Sequence, residues 1–334
     1  IMETQQNVAD QRMEKAYLEG CFTLKKKNLP IQIAHKMTIF TNALKTTQIK
    51  VFIALICCLR PGLQSGDFLN QVNPPWGYIF RDWKGPPIDV ISYIPPNATK
   101  NTRILMVVPG ASRDAQRFHA SWLDLAKKEN FIVMTIGARK RYFPDEYSYN
   151  AGRVVSSEGH AMHKDQWLFS AIKPLFEDFK KRHGLISDSF YLFGHSAGGG
   201  FVHRYLLFDP SAPIVKAVAA NPAFVTVPDF DIRYPFGLKN TPIKKSDMNN
   251  WFNHNLAIIL GEEDLGPRTK PLSNGAMANV QGSNCLERGK LLYNSANQEA
   301  EKKGSKFNWS LITVPGVGHD NFNIAPFACR FLFE

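Results

Sequence analysis

Short apolar runs alternate along this chain with longer segments whose apolar residues recur at helical spacing. The runs Asp89–Tyr93, Ile104–Val108, Phe131–Ile136, Ser189–Phe193, Val215–Ala220, Leu256–Leu260 and Trp309–Val314 have strand length, and most are rich in β-branched or aromatic residues. Ile104-Leu105-Met106-Val107-Val108 is apolar at every position, as expected of a strand covered on both faces. Between the runs, Ala115–Lys128 predicts a helix with Phe118, Trp122, Leu123 and Leu125 on its apolar stripe. Gln166–His183 predicts another, carrying Leu168, Ile172, Leu175, Phe176 and Phe179, and Phe201–Leu207 shows helical spacing again. Strand and helix in alternation predict an α/β fold, a mainly parallel sheet with helices on both faces.

Two stretches break this rhythm. Residues 138–159 are polar and aromatic (Tyr142, Phe143, Tyr147, Tyr149), and residues 221–253 are rich in Pro, Phe and Asp and end near Trp251. Both follow predicted strands, where a rigid sheet can present loops over a site, so they are candidates for substrate contact beside a plain sheet-capping role.

Composition narrows the picture. The 334 residues, 44% hydrophobic and 12% aromatic, suffice for one large core, and no fixed-period repeat is visible. The net charge of +11 resembles a nucleic-acid signal until it is divided. Residues 1–65 carry nine Lys/Arg against four Asp/Glu, leaving 31 against 25 elsewhere, with no basic cluster interleaved with aromatics. The excess suits solubility or adsorption to anionic surfaces, and no nucleic-acid partner is expected.

The first 65 residues read as a leader and residues 66–334 as a single catalytic domain. Lys45 and Lys50 precede the nine-residue apolar run Val51–Leu59, which ends at Arg60-Pro61-Gly62. A positive segment before a short apolar one is the pattern of a secretory signal peptide, too short to span a membrane as a helix. Met37 is then a candidate start, residues 1–36 an upstream extension, and the protein is expected to be secreted or periplasmic. Cys57 within the run admits a lipoprotein anchor. Cys21, Cys57 and Cys58 fall in this leader; Cys285 and Cys329 remain, as a disulfide of an oxidising compartment or as two separate buried thiols. No C-x-x-C or spaced His cluster suggests a metal, and none is expected.

The chemistry is concentrated around Tyr191-Leu192-Phe193-Gly194-His195-Ser196-Ala197-Gly198-Gly199-Gly200. A β-prone lead-in, a G-x-S-x-G turn and a following helical period fit a nucleophile elbow, in which Gly194 and Gly198 leave room for Ser196 to hold a strained turn. An acid and a histidine follow, each behind a predicted strand. Leu256–Leu260 leads into Gly261-Glu262-Glu263-Asp264, and Trp309–Val314 into Pro315-Gly316-Val317-Gly318-His319-Asp320. Of three adjacent carboxylates, Asp264 is placed best to turn back towards His319, leaving Glu262 and Glu263 as solvated charges and Asp320 as structural. The order Ser196, Asp264, His319 is that of α/β-hydrolases. Ile104–Val108 leads into Pro109-Gly110-Ala111-Ser112-Arg113-Asp114, so the Ala111 and Ala197 amides are the candidate oxyanion donors.

Pro109–Ala115, Gly194–Gly199, Leu260–Asp264 and Val314–Asp320 together resemble bacterial serine esterases related to poly(3-hydroxybutyrate) depolymerases. The likeness runs from about Ile88 to Phe333. It implies an α/β-hydrolase fold, no cofactor, and hydrolysis of short-chain or polymeric esters by Ser196, Asp264 and His319. The chain departs in one place: many relatives carry His-Gly where Pro109-Gly110 stands here. A peptidase or amidase on the same fold and a non-catalytic binding protein are the competing expectations; the intact triad speaks against the second.

Overall fold

The computed structural model describes residues 77–266 and 276–334. The chain divides between Leu69 and Asn70, and only the second unit falls within those residues. The expected leader, with its apolar run, Met37 and three cysteines, lies outside them, as does Pro267.

Eight strands make one sheet: β1 (Tyr78–Phe80), β2 (Ile88–Tyr93), β3 (Ile104–Val108), β4 (Ile132–Gly137), β5 (Phe190–His195), β6 (Ile214–Ala220), β7 (Leu256–Gly261) and β8 (Ser310–Val314). Their order is β1-β2-β4-β3-β5-β6-β7-β8. β1 and β2 join antiparallel at one edge, and every pairing from β4 to β8 is parallel. The all-apolar character of β3 is explained by the two faces it serves. Ile104, Met106 and Val108 enter one core cluster, Leu105 and Val107 the other, because successive strand side chains point to opposite faces.

Helices cover both faces. α1 (Ala115–Ala120), α2 (Leu123–Glu129) and α8 (Asn321–Phe333) supply Phe118, Ala126, Ile324 and Leu332 to the cluster of Leu105 and Val107. α3 (Leu168–His183), α4 (Ala197–Phe208), α5 (Met248–Asn253) and α7 (Cys285–Lys303) pack on the other face, and α6 (Ala276–Val280) precedes α7. No helix among the described residues is long and apolar enough to cross a membrane.

Two expectations need correcting. The single helix over Ala115–Lys128 is two, broken where the Ser121 hydroxyl donates to the Phe118 carbonyl at 2.8 Å. A serine hydroxyl competes with the helical ladder, and the break lets Trp122 bury completely against Phe193. The irregular stretches are also less open than their composition suggests. Phe143, Tyr149, Tyr234 and Trp251 are buried, and Trp251 meets Trp309 edge-on at 4.9 Å between ring centroids. Most of these aromatics are core, with Tyr142, Tyr147, Phe230 and Phe236 only partly buried.

Candidate active site

β3 and β5 are neighbours, yet the chain leaves β3 for β4 on one side before crossing back to β5 on the other. The loops at their carboxyl ends therefore part and leave a crevice, where open α/β sheets bind ligands. Val108 is in register with Gly194, so the Pro109–Asp114 loop and Ser196 meet there.

Ser196 joins β5 to α4 with φ 60° and ψ −119°, a left-handed region costly for a residue with a Cβ. Neighbours hold it there. Its N–H donates to the Ala220 carbonyl at 2.9 Å, and its own carbonyl accepts from the Gly200 N–H at 3.0 Å. The turn also requires its glycines: a Cβ on Gly194 would strike the Gly198 carbonyl, and one on Gly198 the Val108 carbonyl. Ala197, first residue of α4, contributes one of the amides that a helix N-terminus leaves without an intrahelical acceptor.

The acid and histidine come together. His319 Nδ1 and Asp264 Oδ2 are 2.6 Å apart, with the Asp264 side chain 1% and the His319 side chain 25% exposed. Backbone bonds between the two loops set this contact: the Glu262 and Glu263 amides donate to the Val314 and Val317 carbonyls, each at 3.0 Å. Glu262 and Glu263 themselves are exposed. Asp320 caps α8, its Oδ1 accepting from the Phe322 N–H at 2.8 Å.

The loop after β3 is braced from the 138–159 stretch. Tyr149 donates its hydroxyl to the Pro109 carbonyl at 2.6 Å, and the Arg113 guanidinium lies 3.7 Å from the Tyr149 ring centroid. Arg113 also donates to the Ala111 carbonyl at 2.8 Å and reaches the Phe143 and Asp145 carbonyls. Ala111 stays exposed at the crevice. Asp114 accepts from the Arg117 amide and caps α1.

Three buried residues without a sequence signature complete the setting. Asn221, at φ 41° and fully buried, accepts from the Gly261 N–H at 2.9 Å. That fixes its amide so that Nδ2 donates to His195 Nε2 at 3.2 Å and to the Gly318 carbonyl at 3.3 Å. One side chain thus ties the ends of β5, β6 and β7 to the loop bearing His319, and the His195 ring lies 4.5 Å from that of His319. Arg204, also fully buried, donates to Thr226 Oγ1 and to the carbonyls of Asn150, Gly200, Phe224 and Pro235, which fastens both irregular stretches to α4. Burial lowers its pKa to about 10. Cys285 is the third, buried close to Asp264 and His319. Cys285 and Cys329 are both buried thiols, which decides between the two arrangements the cysteine count allowed.

Solved structures carry the same architecture. Poly(aspartic acid) hydrolase-1 from Sphingomonas sp. KT-1 is 34% identical over 79% of this chain and 100% of its own, with a TM-score of 0.75. The chain belongs to the α/β-hydrolase-fold esterases. A second member, a poly(3-hydroxybutyrate) depolymerase from Bordetella parapertussis, is 28% identical over 74% of this chain and 84% of its own, at a TM-score of 0.70. S-Formylglutathione hydrolase from Agrobacterium tumefaciens shares the fold at 15% identity, 76% and 91% coverage and a TM-score of 0.51. No protein-family model matches the chain, and no curated protein does. Membership of this family makes the chain a hydrolase.

Proposed function

We propose that the protein is a serine hydrolase that cleaves carboxylic esters through an acyl-enzyme, with Ser196 as nucleophile, His319 as base and Asp264 as orienting acid. The observation carrying this reading is the 2.6 Å contact between buried Asp264 and His319 behind an elbow that holds Ser196 at positive φ. His319 takes the Ser196 proton as Oγ attacks the carbonyl, then returns it to the leaving alcohol; a water activated by the same imidazole releases the acid. Asp264 keeps the imidazole proton on Nδ1, and the Ala111 and Ala197 amides receive the oxyanion, each such donor contributing roughly 3 kcal/mol. The cycle needs no cofactor. The basic, apolar segment from Lys45 to Leu59 supports export of the protein.

A second reading is amide hydrolysis. The 34% identity to a poly(aspartic acid) hydrolase favours it, and the same triad serves both bonds. A fluorophosphonate probe tests the nucleophile: the wild-type protein should label and Ser196→Ala should not. Labelling that survives the substitution would assign the nucleophile elsewhere.

A further inference from the structure

Cys285 Sγ, an Asp264 carboxylate oxygen and a His319 ring nitrogen all lie within 4.8 Å of one another. A thiol, a carboxylate and an imidazole are the donor set that suits Zn2+. Bonds of roughly 2.0–2.3 Å in a tetrahedral zinc site place neighbouring donors about 3.3–3.8 Å apart. The 2.6 Å between His319 Nδ1 and Asp264 Oδ2 would widen towards that value by side-chain rotation, and the separations to Cys285 Sγ lie within 4.8 Å. The charges also balance: one thiolate and one carboxylate neutralise a dication in a place where Cys285 and Asp264 are buried. The quarter-exposed His319 side chain marks the side open to solvent.

We propose that Asp264, Cys285 and His319 form an inhibitory zinc site that captures the acid–histidine pair. Zinc takes the place of the proton between Asp264 and His319 Nδ1. The imidazole proton then resides on Nε2, the Cys285 thiol proton leaves to solvent, and Zn–O, Zn–N and Zn–S bonds form, with water in the fourth position. A protonated Nε2 has no lone pair for the Ser196 proton, so hydrolysis stops without any change at the nucleophile. The effect on rate rests on the proposed triad; the binding of metal does not.

Cobalt(II) serves as the spectroscopic probe on the full chain. Wild type and Ser196→Ala should both develop a thiolate-to-cobalt charge-transfer band, and Cys285→Ser should lose it. The chain also carries Cys21, Cys57 and Cys58, so the band must persist when those three are changed to Ser. With p-nitrophenyl acetate, zinc should suppress wild-type turnover and EDTA restore it, while Cys285→Ser and Cys285→Ala should need about tenfold more zinc or beyond. Absence of the band in soluble wild-type protein would overturn the proposal, as would its persistence in Cys285→Ser or equal zinc sensitivity in the Cys285 variants. A hydrolytically silent protein that still shows the Cys285-dependent band would sink the triad reading and leave the metal site standing.

Discussion

Ser196 sits where a side chain is unwelcome, and that placement gives each neighbour a definable task. With Asp264 as the group that holds the His319 tautomer, Asp264→Asn should lower kcat by about 10⁴ with little change in KM. Glu262→Gln and Glu263→Gln, both exposed, should each change it by less than about tenfold. A crippled Glu variant would reassign the acid. Asn221 acts through others, linking His195, Gly261 and Gly318. Asn221→Asp loses the donor to His195 and Gly318, so kcat should fall by up to about 100-fold while KM holds, the mark of misplacement rather than lost binding. The same variant should displace the pH–rate profile, because a new carboxyl meets the His195 ring that adjoins His319. An unmoved profile and unchanged kcat would leave Asn221 as scaffolding. Ser196, Asp264 and His319 stand out in the sequence as candidates because each follows a strand within a Gly-rich turn, and the structure brings Asp264 and His319 into contact. Asn221 and Cys285 do not: a single Asn or Cys carries no spacing, and positions 264, 285 and 319 meet only once β7, α7 and β8 have packed.

At the scale of elements, the continuous apolar runs announced strands buried on both faces, and seven of the eight appear close to where the pattern puts them. β1 escaped because three residues, Tyr78-Ile79-Phe80, are too few for a period to register. The apolar stripe over Ala115–Lys128 runs on through the break at Ser121, so its period does not reveal that two helices share it. Burial of polar residues is likewise invisible to spacing, and it bears on how stability should respond to acid. His119 packs beneath the sheet with Nδ1 3.1 Å from Thr135 Oγ1, and burial lowers its pKa from 6.5 to about 4. His203 is shifted the same way, its ring buried completely between the Gly199 carbonyl and the Thr226 amide. A histidine of lowered native pKa binds its proton first in the unfolded chain. Its neutral form therefore costs nothing above pH 6.5, and stability is lost as pH falls from 6.5 towards 4. For His119 the loss across that window is about 3 kcal/mol. Urea midpoints measured between pH 7 and 4 should fall less steeply for His119→Gln than for wild type. Parallel profiles would mean that His119 does not couple folding to protons.

For the whole molecule, the family was legible from four short motifs, but the substrate was not, because the residues that shape the crevice sit in stretches without a period. Aromatic residues make 138–159 and 221–253 candidates for substrate contact on sequence alone. Their packing leaves little of that aromatic surface for a ligand, since Phe143, Tyr149, Tyr234 and Trp251 are committed to the core. Cutting out 221–253 would open the core around Met248, Trp251 and Phe252 and unfold the domain, so deletion cannot separate large substrates from small ones. Substrate choice has to be read from intact protein. A serine triad of the proposed kind would cleave esters more readily than amides, because an alkoxide leaves more readily than an amine that must first be protonated. The two more similar relatives divide between a poly(aspartic acid) hydrolase and a poly(3-hydroxybutyrate) depolymerase. The 31 Lys/Arg against 25 Asp/Glu of residues 66–334 would attract the polyanion, and that attraction weakens with salt. We expect p-nitrophenyl acetate to be hydrolysed, and poly(3-hydroxybutyrate) film to release soluble acid at a rate that salt barely alters. Poly(aspartic acid) turnover, if it exceeds polyester turnover at low salt and collapses as salt rises, would move the protein from ester to amide hydrolysis and make charge the basis of its selectivity. Loss of every activity in Ser196→Ala would show that both bonds are cut at the same residue.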